Sequence, residues 1–170
     1  MMKNKSNISI CIVNWNTKED LRVCLESIRS CSMDLETIVC DNASSDGSSD
    51  MVRRDFPEAV LISNQKNIGF GKANNLCFQK CSREYVLIAN PDIIVDNNAL
   101  ENLKGVLEND SSIGAVGALL VDGDRVPQKH YYRKFPSLLQ HMIFQKLKSF
   151  LYMLLVELDQ LEDIIQEQCR

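Results

Sequence analysis

Four short β-rich apolar runs recur along this chain: "ISICIV" (8–13), "LETIVC" (35–40), "AVLIS" (59–63) and "YVLIA" (85–89). Between each pair lies a stretch whose apolar residues follow helical spacing. Thr17 to Arg29 carries Leu21, Cys24, Leu25 and Ile28 on one face, with Thr17 placed as the N-cap. A short helix is expected over 48–55, closed by Pro57, and a third follows the glycine loop "NQKNIGFGKANN" through about Cys81. A fourth runs over 97–108, with Ala99, Leu103, Val106 and Leu107 together, and "IGAVGALLV" (113–121) reads as a fifth strand. Strand-helix alternation of this kind demands right-handed crossovers. It predicts an α/β fold with a mostly parallel sheet flanked by helices. A chain of 170 residues can bury one substantial core but not two comfortable ones.

In such sheets ligands bind beyond the carboxyl ends of the strands. Here each apolar run closes on a polar residue: Asn14, Asp41, Asn64 and, after Asn90-Pro91, Asp92. The topology gathers them along one rim. An aspartate such as Asp41 can accept a hydrogen bond from a base N–H, and the backbone from Val13 to Trp15 can frame the same base. The loop "NIGFGKANN" supplies glycines for close backbone approach, a helix N-terminus for anionic oxygens, and Lys72 as a point charge. Asp92 offers a hard oxygen for Mg²⁺ or Mn²⁺, which keep several waters and take one or two carboxylates plus substrate phosphates. Each feature alone has a structural reading, since a strand-end Asp is commonly a helix cap. Four of them at four successive strand ends suit a nucleoside diphosphate.

The charge balance limits the ligand further. A net charge of -4 and a pI near 5.2 argue against nucleic acid, which calls for a basic field. A negative ligand must then be met by local donors or a metal. The seven cysteines form no CxxC pair. Cys11 and Cys40 sit inside apolar runs, and Cys77 and Cys81 share a helix face without His partners. They read as reduced structural thiols of a cytoplasmic protein. The first apolar run is too short for a signal peptide, and no run reaches the roughly 20 apolar residues of a membrane span.

Beyond Val126 the pattern changes. Lys129 to Phe135 is basic and aromatic, and reads either as a solvated edge or as a phosphate contact. From Pro136-Ser137 the chain is expected to be helical. Phe144, Leu147, Leu151, Leu154, Leu158, Leu161 and Ile165 make an a/d heptad seam. That helix could pack on its own domain, touch the inner face of a membrane through "FLYMLLV" (150–156), or join two copies of the chain. The expected division is a ligand-binding domain over 7–136 and a helical tail over 137–170.

"CIVNWNTKEDLRVCLESI", "IVCDNASSDGS", "NIGFGKANN" and "LIANPDIIVD" resemble, in order, the motifs of glycosyltransferase family 2 enzymes with the GT-A fold. Within that family they look most like the rhamnosyltransferase-like members that build bacterial surface polysaccharides. The resemblance covers about residues 7–136. It implies a nucleoside-diphosphate sugar donor (UDP- or dTDP-linked), a saccharide or lipid-linked acceptor, Mg²⁺ or Mn²⁺, and inversion at the anomeric carbon. By that resemblance Asp41 holds the base and Val13 and Trp15 line its pocket, with Asn14, Asn42 and Asn90 also among the substrate-binding residues. Asn67, Gly69 and Lys72 lie by the ribose and diphosphate. Asn90-Pro91-Asp92 stands where the family carries Asp-x-Asp, leaving Asp92 as the metal ligand. Inverting transfer also requires a carboxylate general base, which in the family comes from a further segment that this sequence does not show. The nearest carboxylates after the fifth run are Asp122 and Asp124, in a stretch that also reads as a plain turn. Two alternatives stay open: a truncated relative that only binds nucleotide or assembles with partners, and a sugar nucleotidyltransferase. The latter would carry glycines after the first strand, where "VNWNTKED" has none.

Overall fold

The computed structural model of the chain describes residues 4–124 and 126–128. Four strands, β1 (Asn4–Asn14), β2 (Met33–Asp41), β3 (Val60–Ser63) and β4 (Tyr85–Ala89), form one parallel sheet in the order β3-β2-β1-β4. Helices α1 (Lys18–Ser30), α2 (Ser48–Asp55), α3 (Phe70–Phe78) and α4 (Asn97–Asn109) alternate with them. This is the α/β class that the alternation predicts.

The apolar runs are continuous because the sheet is covered on both faces, so successive side chains are buried in opposite directions. Ile8, Ile10 and Ile12 of β1 pack with Leu21, Cys24, Leu25 and Ile28 of α1, Met51 and Val52 of α2, and Ala89. Cys11 and Val13 face the other way, with Ile38 and Cys40 of β2, against Ala73 and Cys77 of α3. Each fully buried isoleucine in this sandwich contributes about 2 kcal/mol of transfer free energy. The second layer is narrow. Val86 and Ile88 of β4 remain 42% and 52% exposed.

The structure corrects one expectation and adds a detail to another. Residues 113–121 form no strand; Val121 makes only an isolated antiparallel bridge to Pro127. Gly114 and Gly117 remove side-chain packing and add backbone entropy, which weakens any strand pairing there. Gly114 to Val116 instead line a groove of about 370 Å³ with Tyr85, Val86 and Leu87 of β4 and Leu100, Leu103 and Leu107 of α4. Thr17 does occupy the N-cap of α1, but its side chain makes no cap bond. Its hydroxyl donates to Asn14 Oδ1 at 2.7 Å.

The chain divides into two compact units, Met1–Ala118 and Leu119–Arg170. The basic aromatic stretch 129–135 and the heptad helix lie outside the described residues. Among the described residues no helix is long and apolar enough to cross a membrane.

Candidate functional site

The rim begins where β1 and β2 end side by side, Asn14 paired with Asp41. Asn14 is fully buried; its Nδ2 donates to Asp41 Oδ1 at 2.8 Å and to Ser44 Oγ at 3.0 Å. Asp41, only 3% exposed, also accepts from Ser44 Oγ at 2.5 Å, Ser44 N at 3.2 Å and Ser49 Oγ at 2.8 Å. Four donors match the lone-pair sites of an ionised carboxylate. Asp41 therefore ties both strand ends to the loop that follows β2. That loop makes a tight course, with Ala43 at φ 65° and, across from it, Asn16 at φ 55°. Both are in the left-handed region that costs a non-glycine residue energy and persists when its surroundings impose it. Asn16 Oδ1 accepts from Ser45 N at 2.8 Å, and its own amide donates to Ser44 Oγ at 2.9 Å.

Asp46, further along the same loop, serves two helices. Its Oδ2 accepts from Lys18 N of α1 at 2.9 Å, and its Oδ1 accepts from Ser48 N of α2 at 3.0 Å and from Ser48 Oγ at 2.5 Å. Partial burial pushes its pKa up, but these hydrogen bonds outweigh it and hold the carboxyl below the usual range. Neither α1 nor α2 has a side-chain bond from its own cap residue, so a residue remote from α1 in sequence supplies what Thr17 does not.

A second network shapes the glycine loop. Asn42, buried after β2, donates through Nδ2 to Asn67 Oδ1 at 3.1 Å. Its Oδ1 accepts from Asn64 Nδ2 at 3.0 Å and Ile68 N at 3.2 Å. Asn67 Oδ1 in turn accepts from Gly69 N at 2.9 Å. Gly69 precedes α3 at φ 84°, a conformation that favours glycine, and no side chain caps the helix there. The first-turn amides of α3 thus stay open to a ligand. Lys72 stands exposed in the same turn, and it forms no ion pair among the described residues. Asn74, one turn from Phe70, is buried with its Oδ1 unpartnered among the described residues.

Val13, Trp15, Thr17, Asp20, Phe70, Asn90, Pro91 and Asp92 line a cleft of about 300 Å³. Trp15 and Phe70 are 56% and 54% exposed, large rings left uncovered at the strand ends. The segment from Asn90 to Asp96 is pinned to α1: Cys24 Sγ donates to Asn90 O at 3.8 Å and Val95 N donates to Ser27 Oγ at 3.0 Å. Asp96 then caps α4, accepting from Asn98 N at 2.8 Å and Ala99 N at 3.2 Å. Burial, and next the charge of Asp92, push the Cys24 thiol up to about 12.

The residues expected from the sequence thus fall into three connected groups. Val13, Trp15, Asn90 and Asp92 share the cleft; Asn14 and Asp41 are bonded to each other; Asn42, Asn67 and Gly69 form the loop network, with Lys72 one turn on. Asp122 and Asp124 lie in the second unit, where Asp122 Oδ1 accepts from Asp124 N at 3.0 Å and Val126 N at 2.9 Å. That is the chemistry of a turn. Sequence reasoning missed Asp20, which shares the cleft with Asp92. Its signal was the spacing Thr17-x-x-Asp20, which invites a capping-box reading that the Thr17 hydroxyl does not honour.

The donor set fits a hard divalent cation shared with a ligand. Asp20, Asp92 and Asn90 line one cleft, and Mg²⁺ or Mn²⁺ commonly takes one or two carboxylates and fills its remaining positions with water and phosphate. Among the described residues no group of three or more His, Cys, Asp or Glu could hold a metal alone.

The parallel sheet, with its polar rim and cleft at the carboxyl ends of β1 and β4, has the GT-A type fold of the glycosyltransferase structures it resembles. The chain belongs to glycosyltransferase family 2; the pattern defining "Glycosyl transferase family 2" matches residues 9–160. It is 25% identical over 99 residues to the EpsH protein of Bacillus subtilis (strain 168), covering 56% of this chain and 29% of that protein. It also resembles the mannosyltransferase PcManGT from Pyrobaculum calidifontis in complex with GDP-Man and Mn²⁺. The TM-score is 0.56 at 23% identity, over 61% of this chain and 33% of that one. Residues 1–349 of S. aureus TarS in complex with UDP-GlcNAc give a TM-score of 0.53 at 19% identity, over 60% and 31% of the two chains. The chain spans about a third of the length of these relatives.

Proposed function

We propose that this chain binds a nucleoside-diphosphate sugar at the rim and transfers its sugar, with inversion and with the help of Mg²⁺ or Mn²⁺, to a saccharide or lipid-linked acceptor. The observation that carries the reading is the cleft itself. Residues from the ends of β1 and β4 and the start of α3 converge there, with two aromatic rings and two carboxylates. Val13 and Trp15 flank the base, which Asp41 meets with one oxygen. Ser49 Oγ is also within 3.1 Å of Ser63 Oγ, so its hydroxyl can turn away and release one lone pair of Asp41 to the base N–H. Asn67 and Gly69 shape the loop around the ribose. The open first-turn amides of α3 and the Lys72 ammonium receive the diphosphate. Asp92, with Asp20 beside it in the cleft, holds the divalent cation. When bound, that cation neutralises charge on the departing diphosphate.

Calorimetry with UDP, dTDP and GDP, with and without Mn²⁺, tests this reading. Binding that requires Mn²⁺ and disappears in Asp92→Ala is the expected result. Absence of binding by all three nucleotides would sink it. A second reading, nucleotide binding without transfer, is favoured by the engagement of Asp122 in its own turn. Metal-dependent binding without donor turnover, on supplying a range of saccharide acceptors, is the outcome that reading requires.

A further inference from the structure

On the face of the sheet opposite α1, α3 lies over a group of thiols that the donor site does not use. Parallel pairing of β1 with β2, and the alternation of each strand, put Cys11 and Cys40 on the same face. Spacing of one helical turn brings Cys77 and Cys81 to the matching side of α3 and the turn that follows it. Cys11, Cys40 and Cys77 are fully buried, whereas Cys81 is partly exposed. Cys11, Cys40 and Cys77 belong to one buried cluster, Cys11 Sγ lies 3.4 Å from Cys81 Sγ, and the Cys81 thiol donates to Cys77 O at 3.4 Å. The Cys11–Cys81 contact thus joins a partly exposed thiol to a buried one. None of the described cysteines is in a disulfide.

We propose that Cys81 and Cys11 are a thiol–disulfide exchange pair: Cys81 accepts a mixed disulfide from a low-molecular-weight disulfide, and Cys11 resolves it to an intrachain bond joining the end of α3 to β1. Exposure decides the order, because Cys81 meets solvent and Cys11 reaches only its buried neighbours. In the first step the Cys81 thiolate attacks one sulfur of the small disulfide. That S–S bond breaks, and the departing thiolate takes up the proton Cys81 gave up. In the second, the Cys11 thiolate attacks the sulfur of Cys81, the mixed S–S bond breaks, and a second small thiolate leaves and is protonated. Two protein thiols are oxidised and one small disulfide is reduced to two thiols.

The surroundings of the two sulfurs suit these roles. The hydrogen bond from Cys77, followed by opposing burial and then the bond from Cys81, leaves the Cys11 thiol lowered to about 7, close to the best value for an attacking thiol at neutral pH. Burial, and next its bond to Cys11, raise Cys81 to about 11. The first step is therefore slow and the second fast, so the mixed disulfide does not accumulate. Cys77 is pushed upward by its bonds to Cys11 and Cys40 and keeps its proton. Closing the Cys11–Cys81 separation to a bond of about 2.05 Å asks for a small inward movement where α3 has already ended. The inference stands apart from sugar transfer and survives its failure.

The full chain is incubated with oxidised glutathione and examined by intact mass and peptide mapping. The expected product has lost two hydrogens, carries a Cys11–Cys81 crosslink, and unfolds about 5–10 °C higher than the reduced protein. Dithiothreitol reverses both changes. Cys11→Ser retains one glutathione on Cys81, and Cys81→Ser gains neither adduct nor crosslink. A lasting Cys81 adduct on the wild type, unmodified thiols, or a crosslink between any other pair overturns the proposal. Should Cys11→Ser fail to fold, Cys77→Ala serves instead, and it must still form the Cys11–Cys81 bond.

Discussion

Asp41 offers the sharpest test of how the rim is built, because its charge and its hydrogen bonds can be removed separately. Its four donors are Asn14 Nδ2, Ser44 Oγ, Ser44 N and Ser49 Oγ. In Asp41→Asn, an amide with its oxygen in the Oδ1 position still accepts from Asn14 and the Ser44 hydroxyl. Its NH₂ group then donates to Ser49 Oγ, which can turn toward Ser63 Oγ. Only Ser44 N loses its acceptor. One unmet amide and the loss of charge assistance cost about 1–2 kcal/mol. Asp41→Ala removes every acceptor. Asn14 keeps Ser44 Oγ as a partner for its Nδ2 and the hydroxyls can re-aim. The buried Asn14 amide and Ser44 N are each left short of one bond, at about 1–3 kcal/mol apiece. Alanine should therefore destabilise by about 2–6 kcal/mol and asparagine by distinctly less. Urea unfolding followed by circular dichroism reads this as a shift in midpoint at constant slope. An alanine variant within about 0.5 kcal/mol of wild type would refute the claim that this carboxylate ties the strand ends together.

The remaining predictions concern the supports of the site. Asp46→Ala removes acceptors from the starts of both α1 and α2, and a cap is worth about 0.5–2 kcal/mol. The variant should lose about 1–4 kcal/mol in the same assay, and a loss confined to one helix's worth would show that only one end depends on it. Gly69→Ala meets no atom within 4 Å but must hold φ 84°, so it should cost about 1–2 kcal/mol and weaken nucleotide binding; an unchanged protein would mean that the loop conformation is not required. For pH, Arg54 and then Arg22 hold the Asp55 carboxyl below its usual range, and hydrogen bonds that outweigh burial lower Glu36 and Asp46. Depressed carboxylates bind fewer protons folded than unfolded, so stability is complete above about pH 5 and falls as pH drops through the unfolded values near 4. Unfolding midpoints between pH 7 and pH 3 check this, and a rise toward acid would contradict it.

The sheet was legible because burial on both faces leaves strands as unbroken apolar runs, and because Asn14, Asp41, Asn64 and Asp92 punctuate them at one end. What escaped was whatever depended on distant partners. Thr17 has the composition of a cap, yet its hydroxyl is turned to the side-chain Oδ1 of the nearby Asn14, and Asp46, 28 residues from Lys18, supplies the acceptor instead. A local pattern cannot show that exchange. Residues 113–121 are apolar enough for a strand, but a strand needs a neighbour, and composition does not reveal whether one is within reach. The cleft residues Asp20 and Phe70 were hidden for a related reason: each has an ordinary helical role, and only the folding of distant segments brings them into one cleft with Asp92.

Trp15 is the sole tryptophan of the chain and lies in the cleft, so its fluorescence reports directly on the donor site. Titration with UDP, dTDP and GDP, in the presence and absence of Mn²⁺, tests the central claim most directly. A saturable change in Trp15 emission that needs Mn²⁺ and vanishes in Asp92→Ala, with Asp20→Asn weakening it, is the predicted result. A folded protein whose Trp15 emission is unmoved by every nucleotide, with or without the metal, would contradict the assignment of this cleft to a nucleoside-diphosphate sugar.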